Sequence, residues 1–318
     1  MKNLCLLLSL LLFFSCKDKD LEVVEPAGTW IRDANNPVLR DLIPEQNYQV
    51  ASDGHIFYHD NGNLQMVYAG DHEGKIAIKL AKGTAINEWS VQQTLIFETN
   101  NDGFDVFKET PFYRKAENGK HQIFYIGYDN EDNYQSQLYL AESDQLEGPY
   151  SQYHNPVVPR GELAGESVYL ITSPSIVSHE GILHMVFIGW DNSPNEVTRI
   201  WVIGATSTDD GYTWSDFQVV DTPIGAEGQL TKAPDGSYVA VRTSDFQDDE
   251  ALFYATSDHP FDNWTLQEEP ILTKNGSILE DEMIAAQITY DRVTNEEYLF
   301  YTGANIQTGW WMMLARKE

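Results

Sequence analysis

The sequence predicts an all-β fold, a five-bladed β-propeller with four antiparallel strands per blade, on the strength of three motifs that recur in register. The first is an alternating apolar strand that ends in Gly: Leu64-Gln-Met-Val-Tyr-Ala-Gly70, His121-Gln-Ile-Phe-Tyr-Ile-Gly127, Leu183-His-Met-Val-Phe-Ile-Gly189 and Tyr298-Leu-Phe-Tyr-Thr-Gly303. A fifth copy, Ser237-Tyr-Val-Ala-Val-Arg-Thr243, lacks the Gly. The second motif follows each of these, a strand ending in Ala81, Ala141, Ala205, Ala255 and Ala315, at intervals of 60, 64, 50 and 60 residues. An aromatic follows four of them after a turn: Trp89, Tyr150, Trp214 and Trp264. The third is Asn36-Pro-Val-Leu39, Asn155-Pro-Val-Val158 and Glu269-Pro-Ile-Leu272, which reads as the opening of the next unit. Strands of this composition, broken by Gly, Asn and Asp turns and repeated near every 60 residues, are the sequence pattern of propeller blades.

The repeats occupy 29–318, and what precedes them is of another kind. Met1-Lys2-Asn3 is followed by an apolar run from Leu4 to Phe14 and then Ser15-Cys16. A positive start and a short apolar run read as a secretory signal, shorter than the roughly 20 apolar residues of a spanning helix. A small residue directly before Cys resembles the cleavage box of bacterial lipoproteins. That resemblance implies a signal peptide over 1–15, lipidation of Cys16, and a tether over 16–28, polar and carrying Pro26. Charges immediately after Cys16 are similar to surface-export signals of some Bacteroidetes lipoproteins, which implies a protein exported and anchored to the outer membrane. The two cysteines, Cys5 and Cys16, both lie in this leader region, so the propeller has no disulfide, thiol chemistry or Cys-based metal site.

A net charge of −29 excludes nucleic acid as a partner and argues against anionic lipid surfaces, leaving the lipid anchor as the membrane contact. The chain is expected to be monomeric. Aromatics make up 12% of residues, enough to supply stacking faces for sugar rings as well as core. No cofactor is required, although the acidity admits a structural Ca²⁺ in a propeller channel.

In a propeller the innermost strands line a central channel. Aligning the five units on their second strands brings one position of each to the start of that innermost strand: Asp53, Thr110, Ser173, Glu227 and Ala285. Equivalent positions in a pseudo-symmetric ring converge on the axis, which sets Asp53 and Glu227 across a shared cavity. Two carboxylates facing one another over a cleft are what glycoside hydrolysis needs: one protonates the leaving oxygen, the other activates water or attacks the anomeric carbon.

The first unit, Asp53-Gly54, an apolar pair, the turn Asn61-Gly62-Asn63 and then Met-Val-Tyr-Ala-Gly70, resembles the first blade of five-bladed glycoside hydrolases. These are the arabinanase/xylosidase (family 43), invertase (family 32) and family 117 groups, and the likeness is a blade pattern covering the whole propeller. It implies that Asp53 is the base or nucleophile. The second-blade Asp of those families meets Glu109-Thr110-Pro111 here, so Glu109 is a further catalytic candidate. Their third-blade Glu meets Thr172-Ser173-Pro174, with Glu166 the nearest acid. Ser207-Thr-Asp-Asp-Gly-Tyr-Thr-Trp214 matches the Asp-box of sialidases and other propellers, a structural turn.

Substrate-binding candidates are Tyr128 and Trp190, each followed by Asp-Asn and readable as a stacking rim or as turns; Arg242, a clamp for a carboxylate or sulfate or a partner in a salt bridge; Glu282 before the fifth innermost strand; and His55, beside Asp53. Three functions follow from these residues: a glycosidase, a surface glycan-binding protein without turnover, and a protein-interaction propeller with a filled channel.

Overall fold

The computed structural model describes residues 29–43, 48–98, 106–128, 135–153, 155–191, 199–225, 228–243, 251–305 and 307–318. The expected leader, Cys16, the tether, Glu227, and the Asp-Asn positions 129, 130 and 192 lie outside the described residues. Among the described residues regular structure is β throughout, with no helix, and so none long and apolar enough to cross a membrane.

Among the described residues twenty of the 25 strands form five antiparallel meanders of four, and the last and first of these join in one nine-stranded sheet through the parallel pairing of Gly309 with Gln49. Unit one is Tyr48–Tyr58, Leu64–His72, Lys75–Ala85 and Glu88–Thr94. Unit two is Phe107–Lys115, His121–Tyr128, Gln137–Ser143 and Tyr150–Gln152. Unit three is Leu170–His179, Ile182–Asp191, Arg199–Ser207 and Ser215–Val219, and unit four is Leu230–Lys232, Tyr238–Thr243, Ala251–Ser257 and Thr265–Leu266. Unit five takes Glu282–Tyr290, Glu297–Asn305 and Gly309–Lys317 from the C-terminus and its fourth strand, Trp30–Arg32, from the other end of the chain. The first strands touch in cyclic order, one to two and on to five, and five back to one.

The recurring motifs acquire physical reasons. Ala81, Ala141, Ala205, Ala255 and Ala315 are all fully buried in third strands, where the sheets pack face to face. The second-strand glycines are points of close approach. A methyl at Gly303 would stand 2.5 Å from Leu279 O, and one at Gly189 would meet Ile203 and Val168 at 3.0 Å. The Asn-Pro motif differs from expectation. Leu39 bridges Met312, Val158 bridges Leu138, and Leu272 pairs with Leu252, each beside the third strand of the preceding unit. It therefore closes one unit rather than opening the next. The Ser207–Trp214 turn is held by its own side chains: Gly211 N donates to Ser207 Oγ (3.0 Å), Thr213 N to Asp209 Oδ1 (2.9 Å) and Trp214 Nε1 to Gly211 O (3.0 Å).

The apolar core is divided among five seams. Separate clusters join units one and two, two and three, three and four, four and five, and five and one. The strand donated by the N-terminus is locked by ions as well as ladder bonds. Arg32 Nε and Nη2 donate to the two oxygens of Glu280 at 2.8 and 2.6 Å, and Tyr301 Oη donates to Glu280 Oε1 at 2.6 Å. The Glu280 side chain is wholly inaccessible, so its charge depends on these partners. Arg32→Met is expected to lower stability by about 3 kcal/mol, read as a lower urea midpoint, because it strands a buried carboxylate.

Candidate functional site

The positions equated by the repeat share an unusual backbone. Asp53, Thr110, Ser173 and Ala285 have φ of 54°, 43°, 58° and 52°, the left-handed region that residues with a Cβ avoid. They sit inside their first strands rather than just before them, each at a β-bulge. The register slips between Ser52 and His55, Glu109 and Phe112, Thr172 and Ser175, and Ile284 and Gln287. In each case two residues oppose one, and that one is a fully buried ring: Tyr68, Tyr125, Phe187 and Tyr301. The same defect, four times over, turns one side chain per unit out of the pleat.

Asp53 is 6% exposed. Its N–H donates to Thr302 Oγ1 of unit five (3.1 Å), and its carboxylate accepts the Ser52 hydroxyl (2.9 Å). Thr302 is buried and escapes the repeat alignment, since it belongs to a second strand. Thr110 Oγ1 accepts from Ser173 N (3.3 Å), so the same position links units two and three.

Two residues beyond each bulge lie His55, Phe112, Ser175 and Gln287, and Gln229 holds the matching position of unit four by the repeat alignment. Gln287 grips the backbone of unit one, accepting from Ile56 N (2.8 Å) and donating to Ile56 O (3.2 Å). Ser175 Oγ does the same to Leu230 in unit four, at 3.0 and 2.8 Å. His55 meets Phe112 edge-on at 4.1 Å between ring centres, and Gln229 N donates to Ala286 O (2.9 Å). Of these, His55 alone stands out in the sequence as a site candidate. The signal for Ser175, Gln229 and Gln287 is a polar residue where strand alternation calls for an apolar one.

The axis is polar. His55 Nδ1, Ser173 Oγ and Gln229 Oε1 are buried on first strands of units one, three and four without a hydrogen-bond partner among the described residues. No group of three or more His, Cys, Asp or Glu among the described residues is arranged to hold a metal ion.

The other candidates divide. Tyr128 and Trp190 share one arrangement. Each follows the second-strand Gly and reaches back to the residue just before its unit's bulge: Tyr128 Oη donates to Glu109 Oε1, and Trp190 Nε1 donates to Thr172 Oγ1 (3.2 Å). The pairings Phe107 with Tyr128 and Leu170 with Trp190 put both at the bulge end of their units. Tyr128 is buried, stacked on Phe107 at 5.1 Å, and Trp190 is half-buried. Glu109 thus stands at the same end as Asp53, one unit away, held by a tyrosine. Arg242 is exposed, with its guanidinium 6.0 Å from the Phe253 ring centre and no ion pair among the described residues. Glu282 is exposed at the first residue of its strand, opposite Ala304. Glu166 belongs to a separate small ribbon, Gly161–Leu163 with Glu166–Val168.

Burial pushes the His55 imidazole from its ordinary 6.5 down to about 3, and the Gln229 side chain opposes this weakly. The folded ring is therefore neutral at working pH and cannot serve as a proton donor in its charged form. Unfolded, it takes up a proton near pH 6.5; folded, only near pH 3. Between those values the unfolded chain holds more protons, so stability rises with pH and is lost as pH falls from 6.5 toward 3, by roughly 5 kcal/mol in full. His55→Gln is expected to flatten that part of the stability–pH curve, measured by urea unfolding at pH 7, 5 and 4.

No known protein family matches the chain by sequence, and no curated protein is similar to it. Solved structures are. The chain is similar to BT0996, solved as a complex with RGII, with 14% identity, 92% of each protein covered and a TM-score of 0.71. It is similar to a GH43_1 enzyme from Xanthomonas citri, at 15% identity over 91% of each protein with a TM-score of 0.65. A thermostable family-43 glycoside hydrolase aligns at 15% identity over 87% of this chain and 91% of its own, with a TM-score of 0.62. The fold is that of the β-propeller, and the structural neighbours are glycoside hydrolases of the family-43 type.

Proposed function

We propose that this chain is a lipid-anchored glycosidase that cleaves a glycosidic bond in an oligo- or polysaccharide at the mouth of a five-bladed propeller's channel. The observation that carries the reading is Asp53: a nearly buried carboxylate, set by a left-handed bulge at an axial position, on a fold whose solved neighbours are glycoside hydrolases. The blade count is supported by five four-stranded units, five apolar seams and the cyclic contact of the first strands.

In this reading Asp53 activates water or attacks the anomeric carbon, and a second carboxyl protonates the departing oxygen. Glu227 holds the equivalent position in unit four by repeat alignment. Glu109, with Tyr128 donating to it, is the other acid at that end of the ring. Tyr128, Trp190, Arg242 and Glu282 surround the reaction as substrate contacts, and His55 orients the strand that bears Asp53. The chemistry needs no cofactor. The signal peptide 1–15, lipidation at Cys16, a tether over 16–28, a propeller over 29–318, a monomeric state and an outer-membrane address complete the proposal.

A second reading has its own observation. The matching positions of units two, three and five carry Thr110, Ser173 and Ala285, none of them acidic, as in a propeller that holds glycan without turning it over. Asp53→Asn and Glu227→Gln decide between the two. Each is expected to lower sugar release by more than about 100-fold with the β circular dichroism unchanged. Full activity in both variants would overturn the hydrolase, and glycan binding with no release by the wild type would establish the binding protein. Cys16→Ser is expected to move the protein from the detergent phase to the aqueous phase on partitioning.

A further inference from the structure

We infer that unit two carries a second saccharide-binding site at the end of the ring remote from Asp53, where Tyr153 stacks on a neutral sugar ring and Glu142 accepts from its hydroxyls. The inference rests on the carbohydrate reading above and adds to it a further site and the class of sugar that fills it. A cavity of about 380 Å³ opens there, within the range of small-molecule sites. Its walls include Lys120, Glu142, Asp144, Gln145, Gln152 and Tyr153.

Strand register fixes which end of the ring this is. The bulge of unit two lies between Glu109 and Phe112, and Phe107 pairs with Tyr128 on that side of it. At the other end Lys115 pairs with His121 and His121 with Ser143, next to Lys120 and Glu142. From Thr110 to Lys115 the extended chain advances about 16 Å. A single sugar ring does not span that length, so the cavity is separate from the mouth that holds Asp53.

Among the described side chains Tyr153 is the one exposed Phe, Tyr or Trp, at 40%. Tyr212 of unit three backs its ring, with centres 5.3 Å apart and planes at 38°. Tyr212 belongs to the turn Ser207–Trp214, so the motif that closes a hairpin in unit three also props a platform on unit two. An aromatic ring supported on one side and open on the other suits the apolar face of a pyranose. Glu142 is 8% exposed and makes no ion pair among the described residues. Gln122 Nε2 (3.0 Å) and Tyr212 Oη (2.6 Å) both donate to its Oε1, and among the described residues Oε2 receives no hydrogen bond. Burial and the Glu142 carboxylate push the Tyr212 phenol up to about 12, so it stays protonated and holds that carboxylate in place. A buried carboxylate with an oxygen left over gains from further donors, and sugar hydroxyls supply them. Gln145 and Gln152 add amide donors and acceptors at the same wall. The carboxylates of Glu142 and Asp144 stand against a uronate or sulfate, as does the net charge of −29, which leaves a neutral sugar as the occupant.

The test uses the full chain carrying Asp53→Asn, which keeps the probes intact, titrated calorimetrically with xylotetraose, galactotetraose and tetragalacturonate. At least one neutral probe is expected to bind with a Kd of about 1 mM or tighter. Adding Tyr153→Ala is expected to weaken that binding at least about fivefold, whereas Tyr153→Phe, which keeps the ring, leaves it within about twofold. Tetragalacturonate is expected to bind more weakly than the neutral probe. No binding of either neutral probe, binding indifferent to Tyr153→Ala, or tetragalacturonate bound as tightly as the neutral probe each overturns the inference. The two readings fail separately. Tyr153-dependent binding, with no sugar released by the wild type, keeps this site and removes the hydrolase. Sugar release without Tyr153-dependent binding does the reverse.

Discussion

A left-handed residue opposite a buried aromatic ring is the contact on which the rest of this molecule turns. In four units the second strand places Tyr68, Tyr125, Phe187 or Tyr301 against the one point where the first strand carries an extra residue. A left-handed conformation costs an ordinary residue roughly 1–2 kcal/mol, and it persists because the ring behind it and the pairing on either side leave no alternative. The bulge then does two things. In those four units it turns one side chain out of the pleat, and the residue two places on meets the neighbouring unit. Axial chemistry and seam adhesion come from one distortion.

That coupling explains why the seams are polar at their inner edge and apolar further out. Gln287 clasps Ile56 and Ser175 clasps Leu230 through paired donor and acceptor bonds, as one strand of a ladder would. Radially outward, five separate apolar clusters take over. His55 is the exception to the clasping pattern. It faces a phenyl ring, remains neutral through burial, and leaves one nitrogen without a protein partner among the described residues.

Much of this is legible in the sequence because repetition does the work of an alignment. Five copies of one pattern identify the strands, the buried alanines and the equivalence of Asp53, Thr110, Ser173 and Ala285. What repetition cannot convey is conformation. Nothing in Ala285 announces φ > 0, and the bulge appears only when both strands are seen in register. The Asn-Pro motif reads in sequence as part of the following unit because a one-residue bridge has no periodicity to show which neighbour it joins. Trp30–Arg32, three residues long, gives no strand signal for the same reason. Glu280 reads as part of an acidic loop, since its partners Arg32 and Tyr301 are fixed by topology rather than by spacing.

The pairing of Trp30 with Lys317 has a consequence for how the molecule comes into being. Trp30–Arg32 cannot be placed until Gly309–Lys317, a partner far along the chain, has been made. Loop closure over nearly the whole chain is the slowest kind of contact to form. Until Gly309–Lys317 is in place, Trp30–Arg32 has no ladder to join and Arg32 is not held beside Glu280. Loss of that one pairing would leave the outer edge of Gly309–Lys317 without a partner and Glu280 without its cation.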